Sequence, residues 1–501
     1  MQRVPPRGPP RKALGGRYSG RVITRCLRAW LVAAVLAAVA ALAVGEETQG
    51  ARYYQMRLAK VGKAAAARLW EAAEKARRES LFRFARSQAQ RVLELDSDHR
   101  QARTLLGYVK RDEAWEIELG ASARIPAENE TPPGGAKLAD AETAWRLGPA
   151  VRADADVASL YAALGDECAT KGFRVESEAA YGKALELDRD NAVAHRGLGH
   201  VRFGEGLWLL AEANRAFAAA RVARPLDEPS RYDEMFGEKL VKAESGHFRV
   251  ESPHAQAVLA GYLESCERVF AAYLCDFGVD PHTKAFPMTP LFCVIDTDTQ
   301  WDRWINRMTQ GNPGFWRPRT CHWARDRWAC AVRNHDGATD ATRRDRLAHE
   351  AVHMLNLALW DMADGSWLDD ALAYRYCLLT EGATYSFCLA PRKAGYANSM
   401  SERNWMEPSQ WKALLKEAVG KGDDPSLRLI VNKRSYDLPL FASVKAWSMV
   451  DFLMRRDRAA FIALVREQKG EQDPIGLLET RFGKDVESLD DAWRKWVTET
   501  Y

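Results

Sequence analysis

The chain has 501 residues, 47% of them hydrophobic and 28% charged, which is a globular composition with room for about two to four domains and excludes a wholly disordered chain. Its net charge of +4 comes from the first 28 residues, which hold eight Arg or Lys and no acid, so the remainder carries −4 (4 − 8). That remainder offers no clustered basic face to neutralise phosphates, which excludes nucleic acid as an expected partner.

The basic arm runs into the apolar stretch WLVAAVLAAVAALAV at 30–44, with small residues at Ala43 and Gly45. A positive arm, an apolar run and small residues describe either a cleaved secretory signal or an uncleaved anchor, which assigns 1–45 to targeting. A buried core helix is the bland alternative, since the run is shorter than the roughly 20 residues that span a bilayer comfortably. Either targeting reading puts the chain from about residue 46 outside the cytoplasm, in the periplasm or cell envelope or secreted. The membrane is then met only through the N-terminal segment.

The first half contains an internal repeat. RVLELDSDHRQARTLLGYV at 91–109 matches KALELDRDNAVAHRGLGHV at 183–201 at a constant offset of 92, and a tryptophan follows each copy, Trp115 and Trp208. Each copy reads as a helix ending near Leu95 or Leu187, an Asp-rich turn, and a second helix. Such helix pairs stack to bury their apolar faces. Their Ala, Gly and Tyr at helix-packing spacing resemble tetratricopeptide repeats, which implies a scaffold that holds a protein partner. The repeat regions are 46–125 and 151–225, separated by a Pro- and Gly-rich linker at 126–150. A second linker covers 226–245.

From residue 246 the pattern changes. HFRVES reads as a short strand, the segment from Pro253 as a long helix, PLFCVID as a buried strand, and CHWARDRWAC as a hairpin or edge strand. From about Thr342 the pattern is helical. Strands followed by helices predict an α+β domain over 246–501. Nine cysteines are present, and Cys321 with Cys330 is the pair placed to bridge that hairpin, although buried free thiols fit equally well. His322 on the expected edge strand reads as an ordinary half-exposed residue. His247 and His254 flank a strand and have no expected catalytic role.

The chemistry-bearing segment is RLAHEAVHMLNLALW, which contains His349-Glu350-Ala351-Val352-His353. No Gly or Pro interrupts 341–360, so the segment is expected to be helical. Residues i and i+4 then lie one turn apart on one face. Two imidazoles so placed can hold one Zn²⁺, and Glu350 is set beside them as general base for an attacking water. Chance yields this pattern in roughly one chain in a hundred of this length. The next segment, SWLDDALAY, begins a second helix, with Ser366 and Asp369 as a capping box and Asp370 in the first turn. Asp370 fits a third ligand, since a carboxylate from a second helix commonly completes such a site. Its plain alternative is charge complementing the helix dipole.

HExxH followed by this W-L-x-D pattern resembles the gluzincin, or peptidase-MA-like, metallopeptidases over about 246–501. The resemblance implies a small mixed sheet with a helical C-terminal half. It also implies a Zn²⁺ cofactor held by His349, His353 and Asp370, with Glu350 catalytic, and cleavage of a peptide or protein substrate. Tetratricopeptide repeats ahead of such a domain are a known pairing. This chain departs from the family's pattern at two places, where the ligand glutamate falls on Asp370 and the following glycine on Ala371. Aspartate reaches about 1.5 Å less far. A catalytically inactive, gluzincin-like binding module is therefore the alternative expectation. For a tyrosine that stabilises the oxyanion, Tyr436 in KRSYDLPLF is the nearest candidate, because Phe441 and Ser443 occupy the family's expected position. An edge strand near 322–332 is expected to pair with an extended peptide.

Overall fold

The computed structural model describes residues 48–112, 114–117, 125–204, 207–311, 314, 321–324, 328–333, 339–363, 365–386, 407–469 and 473–501. The segment 1–45 therefore lies outside the described residues. Among the described residues no helix is long and apolar enough to cross a membrane. The chain forms two compact units, Met1–Gly197 and Leu198–Tyr501. It mixes helix with small sheets, consistent with an α+β class.

The first unit repeats one motif. Helices α1 (Gln49–Arg78) and α2 (Phe82–Leu95) pack as a pair, and a short α3 (Arg100–Leu105) and a hairpin, β1 (Tyr108–Arg111) with β2 (Ala114–Ile117), follow. After α4 (Leu138–Leu147), the pair α5 (Pro149–Thr170) and α6 (Arg174–Leu187) and the short α7 (Ala192–Gly197) repeat this order. The Asp-rich turns end α2 and α6 at Leu95 and Leu187. His99 and Asn191 then cap the next helices, each accepting a backbone N–H three residues on. The expected second helix of each copy stops after six residues. The cause lies at Gly107 and Gly199, which take left-handed φ values of 92° and 71° and turn the chain out of helix.

Packing differs between the copies in a compensating way. Tyr181 of α6 is buried in a slot left by Gly165 and Gly197, where an added Cβ would lie 2.4 and 2.1 Å from its ring. Its hydroxyl donates to Asp166 at 2.7 Å. In the first copy the equivalent positions are Ala89, Ala73 and Leu105, all buried. Bulk has moved from the middle helix to the short one, which conserves volume.

The second unit begins with the hairpin β3 (Val201–Arg202) and β4 (Trp208–Leu209) and helix α8 (Ala211–Ala220). Trp115 and Trp208 thus occupy the second strand of corresponding hairpins. A six-stranded sheet follows, built from β5 (Arg224–Pro225), β6 (Val241–Glu244), β7 (Arg249–Ser252), β8 (Leu291–Ile295), β9 (Cys321–Ala324) and β10 (Ala329–Arg333). The order is β5-β6-β7-β8-β10-β9, with β7, β8 and β10 parallel and the outer strands antiparallel. Strands β5 and β6 fall in and beside the stretch that composition marks as a linker. Strand β6 lies between β5 and β7, and its adjacent Lys242 and Ala243, which point to opposite faces, are both buried.

Alternation also gives the sheet two apolar faces. Phe292, Val294, Cys330 and Val332 face a large core shared with helices α10 (Gln256–Phe277) and α12 (Asp340–Trp360). Leu291, Cys293, Ala329 and Ala331 face a smaller core with α9 (Arg231–Phe236) and α11 (Asp298–Met308). Among the described residues, the regular elements after β10 are all helical: α12 is followed by α13 (Trp367–Thr380), α14 (Pro408–Lys421), α15 (Leu427–Val431), a 3-10 turn (Ser435–Asp437), α16 (Leu440–Arg456), α17 (Arg458–Glu467), α18 (Pro474–Phe482) and α19 (Val486–Thr500). Helix α12 packs on α10 and α13, and α13 packs on α16, so these two helices meet deep inside the unit.

Candidate metal centre

Helix α12 starts at the Thr339 cap and is buried without interruption from Leu347 to Asn356. His349 and His353 therefore face protein, one turn apart, with ring centroids 4.8 Å apart. Helix α13 starts at Ser366, whose hydroxyl accepts from the Asp369 N–H at 3.1 Å. The return half of the expected capping box is not made, because the Asp369 carboxylate accepts instead from the Gly365 N–H and from His353. Next to it Asp370 points at the two histidines. His349, His353 and Asp370 are all buried, and one ligand atom from each lies within 4.8 Å of the others.

The donor set suits zinc. Ligand bonds of about 2.0–2.1 Å put the donors of a tetrahedral ion roughly 3.3 Å apart. His353 Nε2 and Asp370 Oδ1 are already 3.5 Å apart. The shorter reach of aspartate is thus met by close approach of the helices. Small side chains flank the approach: Ala348 on α12, beside His349, and Ala373 on α13, one turn after Asp370, are fully buried.

The electrostatics favour a cation. Burial, with help from His353 and Arg346, holds His349 well below the usual histidine range, so it is neutral and able to ligate. Burial also opposes charge on His353, yet Asp369 first, then Asp370 and Glu350, outweigh it and hold that ring well above its usual range. Three carboxyl groups around one buried imidazole make a field that a divalent ion satisfies.

Glu350 lies on the side of α12 that meets the sheet. Its Oε2 accepts from the indole N–H of Trp323 at 2.9 Å. Trp323 belongs to β9, the outermost strand at that end of the sheet, so the candidate base and the sheet edge are in direct contact. Tyr436 occupies the 3-10 turn whose Ser435 N–H donates to the Gly365 carbonyl at 2.8 Å, next to the α13 cap. The Tyr436 side chain lies outside the described residues.

Other candidates separate from the cluster. His322 is buried rather than half-exposed, on the sheet face opposite the candidate ligands. It accepts from the Trp304 indole at 3.1 Å, and burial pushes its pKa down to about 4. Cys330 sits across from Trp323, and Cys321 across from Val332; neither is in a disulfide, so the hairpin bridge is not formed. His247 pairs with Glu267, and His254 bridges Tyr262 and Asp296, away from the cluster. Sequence reasoning assigns no role to Trp323, Asn356, Tyr273 or Tyr374, whose ring lies 5.3 Å from that of His349. Only Asn356 carried a signal, being three residues after His353 on the same helical face.

No protein-family model matches this chain. No curated protein matches it either.

Proposed function

We propose that this chain is a zinc-dependent, metallopeptidase-like hydrolase of the cell envelope, with a gluzincin-like catalytic unit preceded by tetratricopeptide-like repeats. The observation that carries the reading is the convergence of His349, His353 and Asp370, all buried, with Glu350 on the same helix. In this reading His349 and His353 give imidazole nitrogens and Asp370 a carboxylate oxygen to one Zn²⁺. When bound, zinc supplies Lewis acidity that polarises a carbonyl and makes water a nucleophile near neutral pH. Glu350 takes the proton of that water as it attacks a peptide carbonyl and returns it to the leaving amine. The Trp323 indole holds the carboxylate of that base against the sheet edge. An extended peptide or protein substrate is taken along β9, and the repeats hold a protein partner. The N-terminal segment delivers the protein out of the cytoplasm.

The zinc content of the purified protein tests this, wild type beside His353→Ala and Glu350→Gln. About one equivalent in wild type and Glu350→Gln, lost in His353→Ala, supports the site. Peptide cleavage that falls by about 10²- to 10⁴-fold in Glu350→Gln supports the base. Metal-free, folded wild-type protein refutes the reading.

A second reading is a catalytically inactive relative that keeps the fold as a binding module. Its support is the same Trp323 bond, which occupies one oxygen of Glu350. Zinc-loaded protein with no cleavage across a peptide library would favour it.

A further inference from the structure

We propose that Asp369 is the positioning residue of this centre: held through Asn356 by Tyr273, it fixes the His353 ring so that Nε2 is the ligating nitrogen. The inference rests on the metal-centre reading above and adds residues to it.

The hydrogen-bond directions are determined from both ends. The Trp360 indole is donor only, and it reaches the Tyr273 hydroxyl at 2.8 Å. Tyr273 must then give its own proton to Asn356 Oδ1, its next partner. That leaves the Asn356 amide to donate, and Nδ2 reaches Asp369 Oδ1 at 2.6 Å. From the other side, the Asp369 carboxylate accepts only, so His353 Nδ1, 2.8 Å from Oδ2, carries the proton. In the neutral ring that a metal ligand requires, Nε2 is then the unprotonated nitrogen, and it is the one that faces Asp370.

Both Asp369 oxygens are taken, one by Asn356 and the other by His353 and the Gly365 N–H. Asp369 therefore orients a ligand rather than serving as one. His353, Asn356 and Trp360 lie on one face of α12, Tyr273 on α10 and Asp369 on α13, so the chain of bonds pins three helices at the site. Tyr273, Asn356 and Asp369 are at most 2% exposed. In so dry a place each bond is strong and its loss is felt.

The experiment is a zinc dissociation constant for the full-length protein, measured by competition with a chelating dye, with circular dichroism as the fold control. Wild type, Asp369→Asn, Tyr273→Phe and His353→Ala are compared. Asparagine cannot accept from both His353 and Asn356, so Asp369→Asn is expected to keep one equivalent of zinc but bind it about 10- to 100-fold more weakly. Tyr273→Phe, which touches no ligand and leaves every charge in place, is expected to weaken zinc in the same direction by less. Affinity within threefold of wild type in a folded Asp369→Asn overturns the inference. Complete loss there, as in His353→Ala, overturns it too, because Asp369 would then be a ligand. If Asp369→Asn does not fold, Tyr273→Phe decides, and unchanged affinity overturns the relay. Wild-type protein that binds no zinc removes the metal-centre reading and the inference with it.

Discussion

Asp345 gives the clearest link between charge and stability near the site. It lies one turn before His349 on α12 and is fully buried. Its Oδ2 accepts from the Tyr385 N–H at 2.7 Å and the Ser386 hydroxyl at 2.8 Å, tying the end of the α13 segment back to α12. Burial raises its pKa from 3.8 to about 6, against the lowering effect of these hydrogen bonds. Because the folded value exceeds the unfolded one, the contribution is fully present below about pH 4 and is lost as pH rises through 6. At 1.36 kcal/mol per unit, the loss is about 3 kcal/mol. Asp345→Asn keeps the shape and an acceptor for the same donors but does not titrate. Urea unfolding of wild type and variant from pH 3.5 to 7.5 isolates this group, because all other titrations cancel in the difference. The wild type is expected to lose about 3 kcal/mol relative to the variant between pH 4 and 7. A difference that stays flat across that range would show that the buried site does not hold the proton, and the reasoning fails.

Lys445 of α16 is fully buried between Asp424 and Asp490 and lies 4.2 Å from the centre of the Trp493 ring. Lys445→Met leaves Arg494 to pair with both buried carboxylates and is expected to cost about 3 kcal/mol, the low end for a broken buried pair, read by denaturant unfolding. In the first unit, Gly165→Ala drives a Cβ into the Tyr181 ring and is expected to destabilise by about 1–3 kcal/mol. In a Tyr181→Ala background the same change is expected to turn stabilising by about 0.5–1 kcal/mol, because only helix propensity remains. Asp370→Glu lengthens the proposed ligand by one methylene, but Asp370 already approaches His353 within ligand spacing. The added methylene is therefore expected to weaken zinc binding and to cost the metal-free fold about 1–3 kcal/mol; tighter zinc would show that the aspartate is a defect.

What could be read in the sequence was whatever short-range spacing encodes. The Asp-rich turns mark the ends of α2 and α6, and an unbroken apolar pattern marks the burial of α12. The i, i+4 histidines and the aspartate after a serine cap nominate the ligand set. What escaped depends on long-range pairing. The parity of β9 decides that Trp323 faces Glu350 and that His322 faces away, and parity needs the register with β10. The positive-φ glycines that shorten the repeat helices were visible as residues but not as conformations. Tyr273 precedes Asp369 by nearly a hundred residues, and no local pattern joins them.

The two functional readings differ in what the buried charges are for. His349, Glu350, His353, Asp369 and Asp370 are each no more than 9% exposed. A helix pair that served only to hold a fold would be at least as stable with apolar residues at these positions, since desolvating charge costs several kcal/mol per group. The cost is sensible where a cation is bound, because the acids that raise His353 are the same ones that would attract it. Zinc should therefore stabilise the protein and not merely decorate it. At a free concentration one hundred times its dissociation constant, the ion adds about 2.7 kcal/mol to folding. A binding module that has lost the metal would keep the carboxyl groups and gain nothing from zinc, so no thermal response to the ion refutes the catalytic reading before any substrate is known, whereas a response leaves peptide cleavage to separate it from a binding module that keeps its metal.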